Sequence, residues 1–203
     1  MQPTVWLALV TLFLAGGLTP GPAVLLVTTS SLRYGFWSSL QPAIGVCVAN
    51  MIWMALSTSG VSALARVLPA GFLALRVAGI GYILWIAWRM AFSGSMDVTR
   101  SEAPPPARLF GRGVGLQLAN PYALVFFGGL LPAYIDARRS MFPQCAVIMG
   151  TITATELFGL VTYAAAAHWV MQRFSSKRFA TWVYRGSALA MAGSALVAVW
   201  STR

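Results

Sequence analysis

The sequence predicts an all-α membrane protein with six transmembrane helices, arranged as two inverted three-helix repeats in which helices 1 and 4 are broken at prolines. Composition is the first observation, because 58% of the 203 residues are hydrophobic and 9% are charged, against roughly 25% charged residues in soluble domains. Apolar stretches of helix-spanning length are the second, since membrane barrels instead alternate apolar and polar residues. Proline interruptions at corresponding points of the two halves are the third.

Six apolar segments reach the length of about 20 residues that a helix needs to cross the bilayer core. The predicted spans are Val5–Ser30, Ser39–Leu64, Phe72–Phe92, Gly113–Ile135, Pro143–Val170 and Ala180–Trp200. Backbone amides find no water in lipid, so each span must satisfy its own amides as a helix. We therefore expect one transmembrane domain over residues 1–203, with a first repeat at about 1–92, a cytoplasmic connection at 93–112 and a second repeat at 113–203.

Basic residues concentrate in the connections between spans, as in inner-membrane proteins. Nine of the 14 Lys and Arg residues belong to connections one, three and five, and five belong to the opposite side. This bias predicts a multi-pass protein of the bacterial cytoplasmic membrane with both termini outside. The net charge of +10 follows from the same placement, so the expected partner is the lipid bilayer and not nucleic acid. A homo-oligomer stays open.

The first predicted span contains Leu-Thr-Pro-Gly-Pro at residues 18–22, although apolar sequence continues on both sides. Pro20 and Pro22 have no amide hydrogen to donate, so carbonyl groups one turn earlier lose their helical partners. Such orphaned groups are tolerated at membrane depth only where they are buried in protein or line a wet cavity.

The fourth predicted span contains a second interruption at Asn120-Pro121, about 101 residues after Pro20. Pro121 frees the carbonyl of Gln117 in the same way. Paired interruptions in two inverted halves are typical of the midplane binding sites of secondary transporters. The helices that resume after them would offer free amides and a positive dipole end to an anion such as a carboxylate.

A few polar side chains lie inside the spans, where they are costly and often functional. Glu156 is an acidic residue within the fifth span, and its carboxylate must be paired, hydrated or protonated there. Asp136 ends the fourth span beside two arginines, as a boundary ion pair or a gate. Glu156 and Asp136 are thus the candidates for coupling or gating. The candidate substrate-binding residues are Thr19, Pro20, Gly21, Pro22, Asn50, Gln117, Asn120, Pro121, Thr155 and Glu156.

The segments LTPGP, LRVAGIGYILWIAWRM at residues 75–90 and GVGLQLANPYALVFFGGLLPAYID at residues 113–136 resemble the LysE/RhtB family of amino-acid exporters. The likeness covers nearly the whole chain, including its length and six-span layout. It implies export of amino acids or related small metabolites across the cytoplasmic membrane, driven by an ion gradient, with protons as the expected coupling ion. The sequence predicts no cofactor and no metal.

Other functions stay open as alternatives. A metal-ion exporter would need several converging ligands, which one intramembrane Glu, one His and two separated cysteines supply poorly. An intramembrane thiol–disulfide oxidoreductase could use Cys47 and Cys145, which fall in corresponding spans, but no CxxC motif is present. A membrane scaffold without transport is a third alternative. No soluble-enzyme motif occurs, so the chain is expected not to be an enzyme.

Overall fold

A computed structural model describes residues 3–18, 21–61, 103–136 and 138–173, and residues 74, 77, 78, 80–85, 88, 182, 185, 186, 189, 192 and 193. The regular secondary structure of these residues consists of helices, and no strand occurs among them. Most of the predicted spans Phe72–Phe92 and Ala180–Trp200 lies outside them. We label the helices whose bounds are described α1 (Pro3–Leu18), α2 (Pro22–Tyr34), α3 (Phe36–Leu56), α4 (Pro106–Leu118), α5 (Pro121–Val125) and α6 (Met141–Arg173).

Helices α1 and α2 reach beyond both ends of the predicted first span, Val5–Ser30, because α1 begins at Pro3 and α2 ends at Tyr34. Gly35 alone separates α2 from α3, and its φ of +89° is a conformation that residues with a side chain rarely adopt. Its amide donates to the carbonyl of Ser31 at 2.9 Å and so closes the end of α2. Two helices can thus follow each other with one residue between them.

Helix α4 begins at Pro106, seven residues before the predicted fourth span and inside the expected cytoplasmic connection. Proline is favourable at the first position of a helix, where its missing amide would have no partner. Residues 103–105 before it are non-helical, and Pro105 has the extended values φ −48° and ψ 139°. The proline run therefore starts the helix rather than only spacing it from the preceding span.

The chain after the second interruption is less regular than the predicted span to Ile135. The five residues of α5 are followed by a π-helical turn at Phe126–Leu130 and a 3₁₀ turn at Leu131–Tyr134. A second π-helical turn, Ser57–Val61, ends α3. The Ser57 hydroxyl donates to the carbonyl of Phe127 at 2.5 Å and links the two turns. Single π turns are frequent at functional sites.

Helix α6, in the second half of the chain, packs against the first half, because it contacts α1, α2 and α3. Trp6 Nε1 donates to Thr151 Oγ1 at 3.0 Å between α1 and α6, and the Ser31 hydroxyl donates to the Ala164 carbonyl at 2.7 Å between α2 and α6. Among the described residues, Phe36–Ser59 and Met141–Arg173 are long and apolar enough to cross a membrane.

Helices α3 and α4 approach each other so closely that glycine is required on both. A methyl group on Gly45 would overlap the carbonyl oxygen of Phe110 and lie 2.9 Å from the amide nitrogen of Val114. A methyl group on Gly113 would overlap the carbonyl oxygen of Pro42. Small residues allow such backbone contact between membrane helices. This contact holds Asn50 of α3 against the end of α4, where Gln117 and Asn120 follow.

Candidate functional site

Residues of the two interruptions line one cavity of about 540 Å³, within the roughly 300–1,000 Å³ of small-molecule sites. Gly21 and Pro22 come from the first interruption, and Asn120 and Tyr122 come from the second. Thr19 and Pro20 lie outside the described residues. Asn50, Gln117 and Glu156 add the other polar side chains of the wall. Of the described residues that line this cavity, Glu156 is the only one with a charged side chain.

The first interruption presents the amino end of α2 to this cavity. Gly21 is the residue before the helix, with extended backbone at φ −96° and ψ −178°, and Pro22 is the first helical residue. A helix leaves its first amides without intrahelical acceptors, and here these belong to Ala23 and Val24, which also line the cavity. Gly21 has no side chain that could accept from them or fill the space in front of them.

The prediction of unpaired main-chain groups is wrong at the second interruption. The Gln117 carbonyl accepts from Trp53 Nε1 at 3.3 Å and from the amide of Asn120 at 3.2 Å. The amide of Tyr122 donates to Asn120 Oδ1 at 3.0 Å, so Asn120 caps α5. An asparagine before a helix is a favourable cap. At this interruption the carbonyl of Gln117 and the amide of Tyr122 are therefore already engaged within the protein.

Three side-chain amides connect this cap to Glu156. Asn120 Nδ2 donates to Gln117 Oε1 at 3.0 Å, and Gln117 Nε2 donates to Asn50 Oδ1 at 2.8 Å. Asn50 Nδ2 in turn donates to Glu156 Oε2. The three amide side chains are buried. Glu156 Oε1 accepts no hydrogen bond from any residue that the structure describes, so one carboxylate oxygen is held and the other is left to the cavity.

Two predicted site residues are not brought to this cavity. The Thr155 hydroxyl donates to the carbonyls of Thr151 and Ile152 in its own helix, at 2.8 and 3.1 Å. Asp136 lies in an exposed turn, where its Oδ2 is 3.3 Å from Arg139 Nε and its Oδ1 accepts from the amide of Arg138. A gating role for Asp136 stays a prediction. Pro121 is the first residue of α5.

Comparison with known proteins decides the family. The sequence model of the LysE type translocators matches residues 14–202, which is nearly the whole chain. The chain belongs to the LysE type translocator family. It is therefore a membrane transport protein with the character of an exporter, and not an enzyme, which sets aside the thiol–disulfide oxidoreductase alternative.

Curated relatives of this LysE type translocator come from several bacteria. It is 29% identical over 171 residues to an uncharacterized membrane protein of Vibrio cholerae, covering 81% of this chain and 83% of that one. It is 28% identical over 137 residues to a leucine efflux protein of Enterobacter sp., covering 66% and 65% of the two chains. It is 25% identical over 170 residues to a homoserine/homoserine lactone efflux protein of Salmonella typhimurium, covering 82% and 77%. No solved structure matches the chain.

The aromatic wall of this translocator's cavity was not predicted from the sequence. Phe13 and Phe126 line it together, with ring centroids 4.7 Å apart and planes at 90°. Phe127 lines it as well. Apolar residues are so common in a membrane span that nothing marks these rings individually. Trp53 was also missed, although its position three residues after Asn50 places both on one face of α3.

The described cysteines and other potential metal ligands of the translocator form neither a disulfide nor a metal-binding cluster. Cys47 and Cys145 are free thiols, one buried and one half-buried. Within the described ranges, no group of three or more His, Cys, Asp or Glu residues could hold a metal ion. The metal-ion alternative therefore gains no support from the cavity.

Proposed function

We propose that this LysE type translocator is a secondary active exporter of amino acids across the bacterial cytoplasmic membrane, with proton coupling. The observation that carries the proposal is the open oxygen of Glu156 in the wall of a largely apolar cavity between the two interruptions. The names of the leucine efflux and homoserine efflux relatives support amino-acid cargo.

The cavity offers a partner to each part of an amino acid. A cargo ammonium group would bind Glu156 Oε1, since a charge-assisted hydrogen bond is roughly twice as strong as a neutral one. The cargo carboxylate would bind the first amides of α2 beyond Gly21 and Pro22, where the helix dipole favours an anion. The cargo side chain would lie against the ring of Phe126. Asn50, Gln117 and Asn120 complete the proposed polar wall, and Thr19, Pro20 and Pro121 stay in the proposed substrate-binding set.

Charge balance favours a cargo with one positive group and a side chain without charge. A single carboxylate lines the described part of the cavity, and a second ammonium or guanidinium group would be desolvated there without an acidic partner. Burial of an unpaired charge is strongly unfavourable. Leucine-like or homoserine-like cargo therefore fits the proposed site better than lysine or arginine.

Proton coupling follows because the proton and the cargo ammonium group compete for the same carboxylate, that of Glu156. An ionised Glu156 binds the cargo ammonium, whereas a protonated Glu156 has lost the charge that attracts it. A proton entering from outside would displace the cargo, and release of that proton to the cytoplasm would reset the site. Each cycle would then exchange one proton for one cargo molecule at Glu156.

The proposed topology places this site at the bilayer midplane. Six spans would form one domain over residues 1–203, with inverted repeats at about 1–92 and 113–203, a cytoplasmic connection at 93–112 and both termini outside. The convergence of Gly21 and Asn120 on one cavity supports a two-fold relation between the halves. Inverted-repeat transporters bind cargo at such an interface.

Efflux from proteoliposomes tests the function. Vesicles containing the purified chain and labelled L-leucine, L-homoserine or L-lysine would be followed with and without an inward proton gradient. We expect gradient-dependent efflux of the first two, reduced at least about tenfold by Glu156→Gln, because the cargo ammonium loses its counter-charge. Thr162→Val is the control, since the exposed Thr162 hydroxyl bonds only within its own helix.

Two results would contradict the proposal. Absence of amino-acid efflux by the wild-type chain, with or without the gradient, would overturn the function itself. Undiminished, gradient-dependent efflux by Glu156→Gln would remove this carboxylate from cargo binding and coupling while leaving the function standing.

A further inference from the structure

The hydrogen bonds between the second interruption and Glu156 all point in one direction. They run from the amide of Tyr122 to Asn120, from Asn120 to Gln117, from Gln117 to Asn50 and from Asn50 to Glu156. The two ends are 34 residues apart along the chain, but the path between them passes through α3 of the other half. We call the side chains of Asn50, Gln117 and Asn120 the amide relay.

The two ends of the amide relay determine which way the oxygen and nitrogen of each side-chain amide point. A backbone amide can only donate, so Asn120 must turn its oxygen toward Tyr122 and its nitrogen toward Gln117. An amide side chain that accepts on its oxygen can donate only from its nitrogen, and the same condition therefore passes to Gln117 and then to Asn50. Reversal of any one amide would set two donors or two acceptors against each other. Asn50 consequently faces Glu156 with its donor.

We infer that the amide relay is a positioning device, through which Gln117 acts on cargo binding by holding Glu156 rather than by contacting cargo. Both amide atoms of Gln117 are engaged within the relay, and its carbonyl is occupied by Trp53 and Asn120. The relay keeps Oε2 of Glu156 bound and directs Oε1 to the cavity. Linked hydrogen bonds polarise one another in a low-dielectric interior, so the effect reaches Glu156 from Asn120.

This assignment rests on the proposed function for its effect on cargo, but its geometry can be tested without transport. The chain has only four acidic residues, so a difference infrared spectrum of wild type against Glu156→Gln isolates the carboxyl band of Glu156. We expect Gln117→Met to shift this band, because Asn50 loses the donor that orients it. Gln144→Met is the matched control, since Gln144 is equally buried and its Nε2 instead donates to the carbonyls of Asp136 and Ser140.

A second variant separates positioning from helix capping. Asn120→Ser keeps an oxygen that can cap α5 but is too short to donate to Gln117. A relay predicts that the Glu156 band shifts in Asn120→Ser as well. A purely structural role for Asn120 and Gln117 predicts a band that neither substitution moves, and this result would overturn the relay.

Binding of L-leucine to the purified protein gives an independent readout by a double-mutant cycle. We expect Gln117→Met to weaken L-leucine binding about tenfold in the wild-type background but less than about twofold in Glu156→Gln, as for two residues that act through one contact. Gln144→Met should have the same effect in both backgrounds. Equal weakening by Gln117→Met in both would make Gln117 an independent cargo ligand and refute the inference.

Failure of the inference and failure of the proposed function give different results. A wild-type protein that transports L-leucine while the Glu156 band ignores both relay substitutions refutes the relay alone. If the protein transports no amino acid but its Glu156 band shifts as described, the proposed function is refuted and the relay is retained.

Discussion

Asn50 of α3 donates a hydrogen bond to Glu156 of α6 across 106 residues of sequence, which joins the two halves of the chain at the cavity wall. The same Asn50 accepts from Gln117 Nε2, so its side chain is engaged on both sides. A carboxylate at membrane depth is costly unless it has such partners. This contact explains how the chain keeps an acidic group in the cavity wall, where the proposed cargo ammonium would bind.

Asn50→Leu should destabilise the protein by about 1–3 kcal/mol, because it removes the donor to Glu156 and leaves Gln117 Nε2 without its acceptor. Denaturant unfolding of the purified protein in detergent micelles measures this change. The control is Thr162→Val, which removes an exposed hydroxyl and should change the unfolding free energy by less than about 0.5 kcal/mol. Equal stability of the two variants would count against the bonds described for Asn50.

Gly45→Ala and Gly113→Ala should each destabilise the protein by about 1–3 kcal/mol, because the added methyl group meets backbone of the facing helix. Gly111→Ala is the matched control on α4, since a methyl group there has no atom within 4 Å. Alanine is also the better helix former, so this variant should be as stable as wild type or more so. Thermal unfolding midpoints distinguish the three variants.

Phe13→Ala should widen the cavity and change its selectivity. Loss of the ring that packs edge-on against Phe126 removes apolar contact with a leucine side chain, so leucine efflux should need about tenfold more cargo for half-maximal rate. Efflux of L-phenylalanine, which carries a larger side chain, should increase relative to efflux of leucine. Phe158→Ala is the control, because Phe158 is exposed on α6 and does not line the cavity. Unchanged selectivity would place the cargo side chain elsewhere.

Asn120→Ala should destabilise the protein by about 0.5–2 kcal/mol, since the amide of Tyr122 loses its cap. Asn120→Ser restores a capping oxygen and should recover part of this loss. Unfolding free energies of the two variants measure the difference. If alanine and serine proved equivalent, Asn120 would contribute through its bond to Gln117 and not as a cap.

The double substitution Cys47→Ser with Cys145→Ser should leave efflux within about twofold of wild type, because free cysteines act chiefly as small apolar residues and neither thiol lines the cavity. Efflux from proteoliposomes under reducing and oxidising conditions measures this. Loss of efflux by the double variant, or a redox dependence of the wild type that this variant lacks, would give the thiols a role in transport.

The sequence by itself determined the membrane environment, the positions of the two interruptions and the family, because these depend on local composition and on the missing amides of proline. It also identified Asn50, Gln117, Asn120 and Glu156 one by one as polar groups that a membrane span must satisfy. It could not say which of them bond to each other, nor that Phe13 and Phe126 form one wall, since apolar residues carry no individual signal in a hydrophobic chain.

Tertiary structure alone decided how those polar groups are paired. The close approach of α3 and α4 at Gly45 brings Asn50 and Trp53 to the end of α4, and the carbonyl that Pro121 frees at Gln117 is thereby occupied from a different helix. Thr155 turns to its own backbone although it is adjacent to Glu156. Hydrogen bonds between helices depend on the distance and direction between their groups, and the spacing of residues along one helix predicts neither.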